Sequence, residues 1–308
     1  MDNRGGHWVT KTSSRGRSYR VWNFPVPRID HNFLHCVVYL YPDEPSALAG
    51  KQAGGSGFLV GLPIEDQAWV PFAVTNRHVI KGGSTVVRVS TVDDDVDIMD
   101  LTEQNWLVHP DHDLAIARLD LNVDRHRIRL VVPNNFLTED IVREQRIGPG
   151  DDCFMVSRFV AHDGHQRNTP SVRFGAIAQM PTEKIRLDDG SEQESFLVEA
   201  RSIAGHSGSP VFVYIPIPGS PSQHGPWLLG VDHCHLFATE TVYSRTTGRP
   251  VNDDWFVRGN TGMMGVVPAW RLAEMFTFPD VVSVMERERQ QWIRDHPVDA
   301  AAGEKDGG

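Results

Sequence analysis

Three short patches hold the residue types of nucleophilic chemistry. The stretch GHSGSPVF at 205–212 sets Ser207 between glycines, just ahead of an apolar run. Glycine accepts the dihedral angles of a sharp turn. Successive backbone N–H groups in such a turn converge on one point, as stabilisation of an oxyanion requires. Pro210 would open the next strand, where a first-residue proline is tolerated. On its own, this patch is more often a Gly/Ser/Pro surface turn. The stretch AVTNRHVI at 73–80 ends an apolar strand on His78, and a lone histidine there is more often structural. The stretch HPDHDLAIA at 109–117 places Asp113 at the mouth of an apolar run, where a single aspartate reads as a turn or cap. All three together, in the order His, Asp, Ser, point to a serine activated by a base that an acid orients.

Around these patches the texture is that of short strands. Apolar runs bounded by Gly, Pro, Asn or Asp predict strands at 33–41, 57–61, 69–74, 85–91, 104–109 and 114–119. Further strands are predicted at 152–159, 171–179, 195–200, 210–215, 227–233 and 263–267. The pattern is that of an all-β barrel or sandwich. The polar segment 121–150 reads as a crossover between two halves, and the Pro/Gly-rich segment 216–226 as a loop. From Pro268 the period lengthens to that of one or two helices, broken near Pro279. The division expected is an N-terminal arm at 1–31, a first barrel at 32–135 and a second at 136–268. A helical segment follows at 269–296, then a disordered tail at 297–308.

Bulk composition narrows the function classes. The 308 residues are 40% hydrophobic and 23% charged, ordinary for a globular protein. A formal net charge of −10 argues against a broad nucleic-acid footprint. Three cysteines (Cys36, Cys153 and Cys234) do not make a disulfide framework, and the polar start lacks the apolar core of a signal peptide. No stretch approaches the ~20 apolar residues of a membrane-spanning helix. These features lead to the expectation of a cytoplasmic protein with neither membrane nor nucleic-acid partner.

The motifs resemble those of the trypsin/chymotrypsin-like serine peptidases, within them most of all the bacterial HtrA/Do-like branch. The matching residues are GSGF at 55–58, TNRHV at 75–79, DLA at 113–115 and GHSGSP at 205–210. The stretch TGMMGVVP at 261–268 is similar to the branch's final strand and helix start. The resemblance spans roughly residues 33–276. It implies a chymotrypsin-like double β-barrel, two six-stranded barrels with a C-terminal helix and the active site in the cleft between them. His78, Asp113 and Ser207 would form the catalytic triad, with the N–H groups of Gly205 and Ser207 as oxyanion hole. The substrate would be a protein or peptide, and no cofactor is needed. Ser209 stands two residues past the turn, and Asp111 lacks the Leu-Ala run that follows Asp113, so neither replaces its neighbour.

The sequence departs from the family in places. Digestive relatives carry an aspartate before the nucleophile, which pairs with a newly cut N-terminus. Here that position is His206, so activity without such trimming is expected. The ~30 residues after 276 are too few for the PDZ domain of HtrA relatives, which leaves the arm or a regulatory protein partner for control. The strand lining the specificity pocket would be LGVDHCH at 229–235. A histidine there suggests Glu, Asp or Gln at the P1 position, read by His233 with His235 and Arg201 close by. The opposing reading has Arg201 in solvent and His233 packed in the barrel. A metal at Asp111-His112-Asp113 or His233-Cys234-His235 is disfavoured, because adjacent strand residues face opposite ways. Two rival functions remain: a silent pseudo-peptidase serving as a binding module, for which an intact triad is unnecessary, and an esterase. The serine context is not the G-x-S-x-G elbow of the α/β-hydrolases.

Overall fold

The computed structural model describes residues 7–12, 18–23, 29–65, 68–159, 164, 166–187, 190–216, 223–252 and 254–296. The arm expected at 1–31 contains an antiparallel hairpin, β1 (His7–Thr12) with β2 (Ser18–Asn23), in which Trp8 pairs with Trp22. Both segments are rich in β-branched and aromatic residues, which suit a pleated ribbon.

The first half is a seven-stranded antiparallel sheet. Its strands are β3 (Val37–Tyr41), β4 (Gly55–Glu65), β5 (Ala68–Thr75), β6 (Val86–Ser90), β7 (Val96–Met99), β8 (Leu107–Val108) and β9 (Ala115–Arg118). Their order across the sheet is β7-β6-β3-β4-β5-β9-β8. The helices α1 (Glu44–Ala49) and α2 (Arg77–Lys81) sit in its connections. The sheet curls around its own small core, because one face carries Val38, Leu40, Leu59, Ala73, Val87, Val89, Ala115 and Ala117, all buried together. The other face, with Val37, Tyr39, Tyr41, Phe58, Val60 and Phe72, packs into a second core shared with the rest of the chain. Strand β3 is therefore buried along its whole length, and its run of apolar residues needs no alternation. The hydrogen-bonded order is an open one of seven strands, where the family resemblance implied a barrel of six.

The crossover at 121–150 holds no strand, only a 3-10 turn at Pro133–Asn135 and α3 (Glu139–Gln145), capped by the Thr138 side chain. The second half follows with β10 (Asp152–Arg158), β11 (Pro170–Gln179), β12 (Lys184–Arg186), β13 (Glu192–Glu194), β14 (Phe196–Glu199), β15 (Pro210–Pro216), β16 (Gln223–Thr241) and β17 (Phe256–Pro268). Six of them close a barrel in the order β10-β11-β14-β17-β16-β15, while β12 and β13 form a separate hairpin. Phe154 stacks on Phe212 at 5.1 Å, with Phe33 from the first half edge-on to both. Full burial of the Phe154 and Phe212 rings contributes about 1.5–3 kcal/mol each.

Several boundaries moved from their expected places. Residues 33–36 fall in a 3-10 helix, His31–Cys36, capped by the Asp30 side chain on Asn32 N–H. Residues 104–109 give only a two-residue strand after the turn Glu103–Asn105. The runs 227–233 and 263–267 are the inner ends of a long ribbon, paired from Gly230–Pro268 out to Thr241–Phe256. Its polar outer part lacks the apolar alternation that marks strands. Most of the loop at 216–226, and the tail at 297–308, lie outside the described residues. The C-terminal break falls at Pro279: α4 (Ala269–Met275) ends, and Pro279 opens α5 (Pro279–Asp295) at the first helical position, where its missing N–H costs nothing. Pairs Arg289–Glu65 (3.0 Å) and Arg118–Glu288 (2.9 Å) fasten α5 to the first sheet.

Candidate active site

His78 rides on α2, directly after β5, and its side chain is about half exposed (49%). Its Nδ1 lies 2.6 Å from Asp113 Oδ2, and its backbone N–H donates to Asp113 Oδ1 at 2.9 Å. One carboxylate thus holds both the ring and the backbone of the histidine. The loop bearing Asp113 is tied down in turn. Asn76 Nδ2 donates to Asp113 O at 2.8 Å, and Arg77 Nη1 donates to the carbonyls of His109 (3.2 Å) and Pro110 (2.9 Å). Burial pushes the Asp113 carboxyl up, but the hydrogen bonds and charge of His78 outweigh it and hold the group below the ordinary carboxylate value. Asp111, the rival acid, is exposed and engages the His109 ring through its N–H.

The Ser207 turn belongs to the second half but is docked on the first. Ser56 N–H of β4 donates to Ser207 O at 2.8 Å, and Ser56 Oγ donates to Gly205 O at 3.2 Å. Gly208 makes this approach feasible. Its φ is +88°, and a Cβ there would stand 2.0 Å from Ser56 O. Gly205, at φ +92°, supplies the other bend. Neither Gly205 N–H nor Ser207 N–H donates to another described residue. No hydrogen bond joins Ser207 Oγ to His78 among the described residues; such bonds are often long before substrate arrives. Ser209 is fully buried and donates to Ser157 Oγ at 2.7 Å, so it has no route to a substrate. His206 is fully buried, and burial with the nearby Arg173 and Arg158 lowers it to about 3, so it stays neutral. A histidine, neutral or protonated, offers no negative charge to pair with an N-terminal ammonium.

The residues expected around the specificity pocket separate. Arg201 is exposed. His235 is half-buried, with its ring edge-on to Phe237 at 4.5 Å. His233 is only 4% exposed; burial lowers it to about 4, and its Nε2 is 2.9 Å from Ser195 Oγ. The strict alternation expected across 233–235 fails because a bulge lies between Asp232 and Cys234. A Cβ on Gly265 would meet both His233 Nε2 (2.6 Å) and Cys234 Sγ (2.8 Å), so that glycine leaves room for the pair. Ser195 and His233 make a second serine–histidine contact, yet it lacks the features of a nucleophile. Ser195 is 1% exposed, and the carboxylate next in sequence, Asp232, accepts from Ser202 Oγ (2.7 Å) instead of orienting the ring.

Motif reading missed Gln193, Ser195 and Glu194, which the fold brings to the rear of the site. No spacing links them to Asp113, 80 or more residues away. It missed as well the group formed by His109, His112 and Glu274, whose ligand atoms lie within 4.8 Å of one another. The hydrogen bonds oppose a metal there. His109 Nδ1 accepts from the N–H groups of Asp111 (3.0 Å) and His112 (3.1 Å), and His112 Nδ1 accepts from Gln193 Nε2 (2.9 Å). Each ring then carries its proton on Nε2, whereas a ligating ring offers a lone pair there and donates from the other nitrogen.

Comparison with known proteins supplies the family. The chain is similar to solved structures of Deg5 (16% identity, TM-score 0.42, 66% of this chain and 81% of that one). It is also similar to the HtrA-type protease AlgW with a decapeptide (17%, TM-score 0.40, 80% of this chain). It spans about half of AlgW, 53%. A third is Rv3671c protease in an inactive form (17%, TM-score 0.40, 79% of this chain and 87% of that one). No curated protein matches the sequence. The profile described as "Trypsin-like peptidase domain" matches residues 55–213, just over half of the chain, from the Gly55 strand through the Ser207 turn. The chain belongs to that family, and with it to the serine proteases.

Proposed function

We propose that the protein is an endopeptidase in which Ser207 is the nucleophile, His78 the general base and Asp113 the acid that orients it. One observation carries this reading: a single carboxylate grips His78 at Nδ1 and at its backbone N–H, beside a serine turn pinned to the neighbouring strand. Asp113 keeps the His78 proton on Nδ1 and leaves Nε2 to take the Ser207 hydroxyl proton. Ser207 Oγ then attacks the scissile carbonyl. The resulting oxyanion is met by the N–H groups of Gly205 and Ser207, and each such donor supports about 2.7–4 kcal/mol of barrier lowering in related enzymes. His78 returns its proton to the leaving amine, and water releases the acyl group by the same steps in reverse.

The finer reading is selection of Glu, Asp or Gln at P1. It rests on His233 and His235, since Arg201 is exposed. With His233 neutral, selection would act through hydrogen bonding and not through an ion pair, which favours Gln. A cytoplasmic location fits the reduced thiols of Cys36 and Cys153, both buried. No described helix is long and apolar enough to cross a membrane.

The test is a fluorophosphonate probe on the uncut protein, with the labelled residue mapped by mass spectrometry. Labelling at Ser207 that vanishes in Ser207→Ala and His78→Ala supports the reading. Folded protein that stays unlabelled, and cleaves no member of a peptide library, refutes it in favour of a binding module. Cleavage dominated by Arg, Lys or large apolar P1 residues sinks the specificity reading alone.

A further inference from the structure

The hairpin β12–β13 extends from the second half to the back of the Asp113 loop. Gln193, on β13, is only 4% exposed despite its polar amide. Its Oε1 accepts from Asp113 N–H at 3.0 Å, and its Nε2 donates to His112 Nδ1 at 2.9 Å and to Glu194 O at 3.0 Å. The amide orientation follows from chemistry, because a backbone N–H can only donate and must therefore face the oxygen. Asp113 is thus clamped at both ends of its backbone, with Gln193 on the N–H and Asn76 on the C=O.

The neighbours of Gln193 hold it in place. Glu194 Oε1 accepts from Trp270 Nε1 (3.0 Å), and Oε2 from Arg271 Nε (2.8 Å), both on α4. Ser195 contacts His233 on the other side. Three consecutive residues therefore join the Asp113 loop, the C-terminal helix and the strand beside the specificity pocket. We propose that Gln193 is a positioning residue, which reaches across from the second half and sets the orientation of Asp113 against His78.

The inference rests on the reading of Asp113 as the acid of the triad. Its test is Gln193→Met, similar in length but with only the weak acceptor of a thioether in place of the amide oxygen. The buried N–H of Asp113 loses its partner, and kcat is expected to fall about 10- to 100-fold with KM changed less than about twofold. Proton NMR of the whole protein supplies a readout independent of turnover: the downfield signal of the His78 Nδ1 proton held by Asp113 should broaden or disappear. If Gln193→Met does not fold, Gln193→Asn, one methylene too short, replaces it with the same outcomes. Wild-type kcat and an intact signal in the folded Met or Asn variant overturn the proposal. If the wild-type protein neither labels at Ser207 nor cleaves peptides, the peptidase reading falls; the NMR signal then decides on Gln193, its loss supporting the proposal and its persistence refuting it.

Discussion

Replacing Asp232 by asparagine should stabilise the protein, increasingly as the pH rises from about 4 to about 7. Asp232 is fully buried on β16; Oδ2 accepts from Ser202 Oγ at 2.7 Å, and Oδ1 has no partner among the described residues. Burial outweighs the Ser202 bond and the charge of His78, and raises the group from its ordinary 3.8 to about 7. The sign follows from which state loses its proton first. The unfolded chain ionises near pH 4 while the folded protein keeps the proton to about pH 7. Stability contributed by this group therefore falls across that window and levels off above it. Three pH units correspond to about 4 kcal/mol. An asparagine side chain carries no such cost, since its amide oxygen still accepts from Ser202. Urea unfolding followed by tryptophan fluorescence, at pH 5 and pH 8, measures the difference. The Asp232→Asn variant should exceed the wild type by up to ~4 kcal/mol at pH 8 and by less than ~2 kcal/mol at pH 5. Equal differences at the two pH values would refute the claim that a buried, reluctant carboxylate is the cause.

Two further outcomes follow from the site. Gly208→Ala must place a methyl group 2.0 Å from Ser56 O, besides the ~1–2 kcal/mol that a left-handed backbone costs a residue with a side chain. Peptidase activity should fall at least ~100-fold, whereas Gly83→Ala, at the same φ of +88° with open space around it, should lose only the conformational term. Activity assays with thermal melts of both variants separate the two costs. Asp113 is held below its ordinary value, so it contributes stability that is present above pH 3.8 and lost as the pH falls through its lowered folded value. The advantage of wild type over Asp113→Asn in unfolding free energy should then shrink on acidification from pH 6 toward pH 3, and an advantage constant with pH would contradict this.

The two-half β architecture, the crossover at 121–150, the break at Pro279 and the three patches around His78, Asp113 and Ser207 were legible in the sequence, because each depends on local chemistry. Apolar runs bounded by turn residues declare strands, a proline cannot continue a helix, and a Ser between glycines declares a sharp turn. The outer ribbon of β16 and β17 was not legible, since its strands are held by each other and carry polar residues. The local geometry of 232–235 was not legible either. A bulge at Asp232–Cys234 breaks the side-chain alternation used in weighing a metal at His233-Cys234-His235, and register is a property of two strands, not one. Burial likewise decided that His206 and His233 are neutral and that Asp232 resists ionisation. Gln193 shows the same division most clearly. The residue types that can orient a serine were fixed in three short motifs, but the amide that steadies Asp113 comes from a hairpin 80 residues downstream. Only closure of the chain onto itself brings the two within hydrogen-bonding distance.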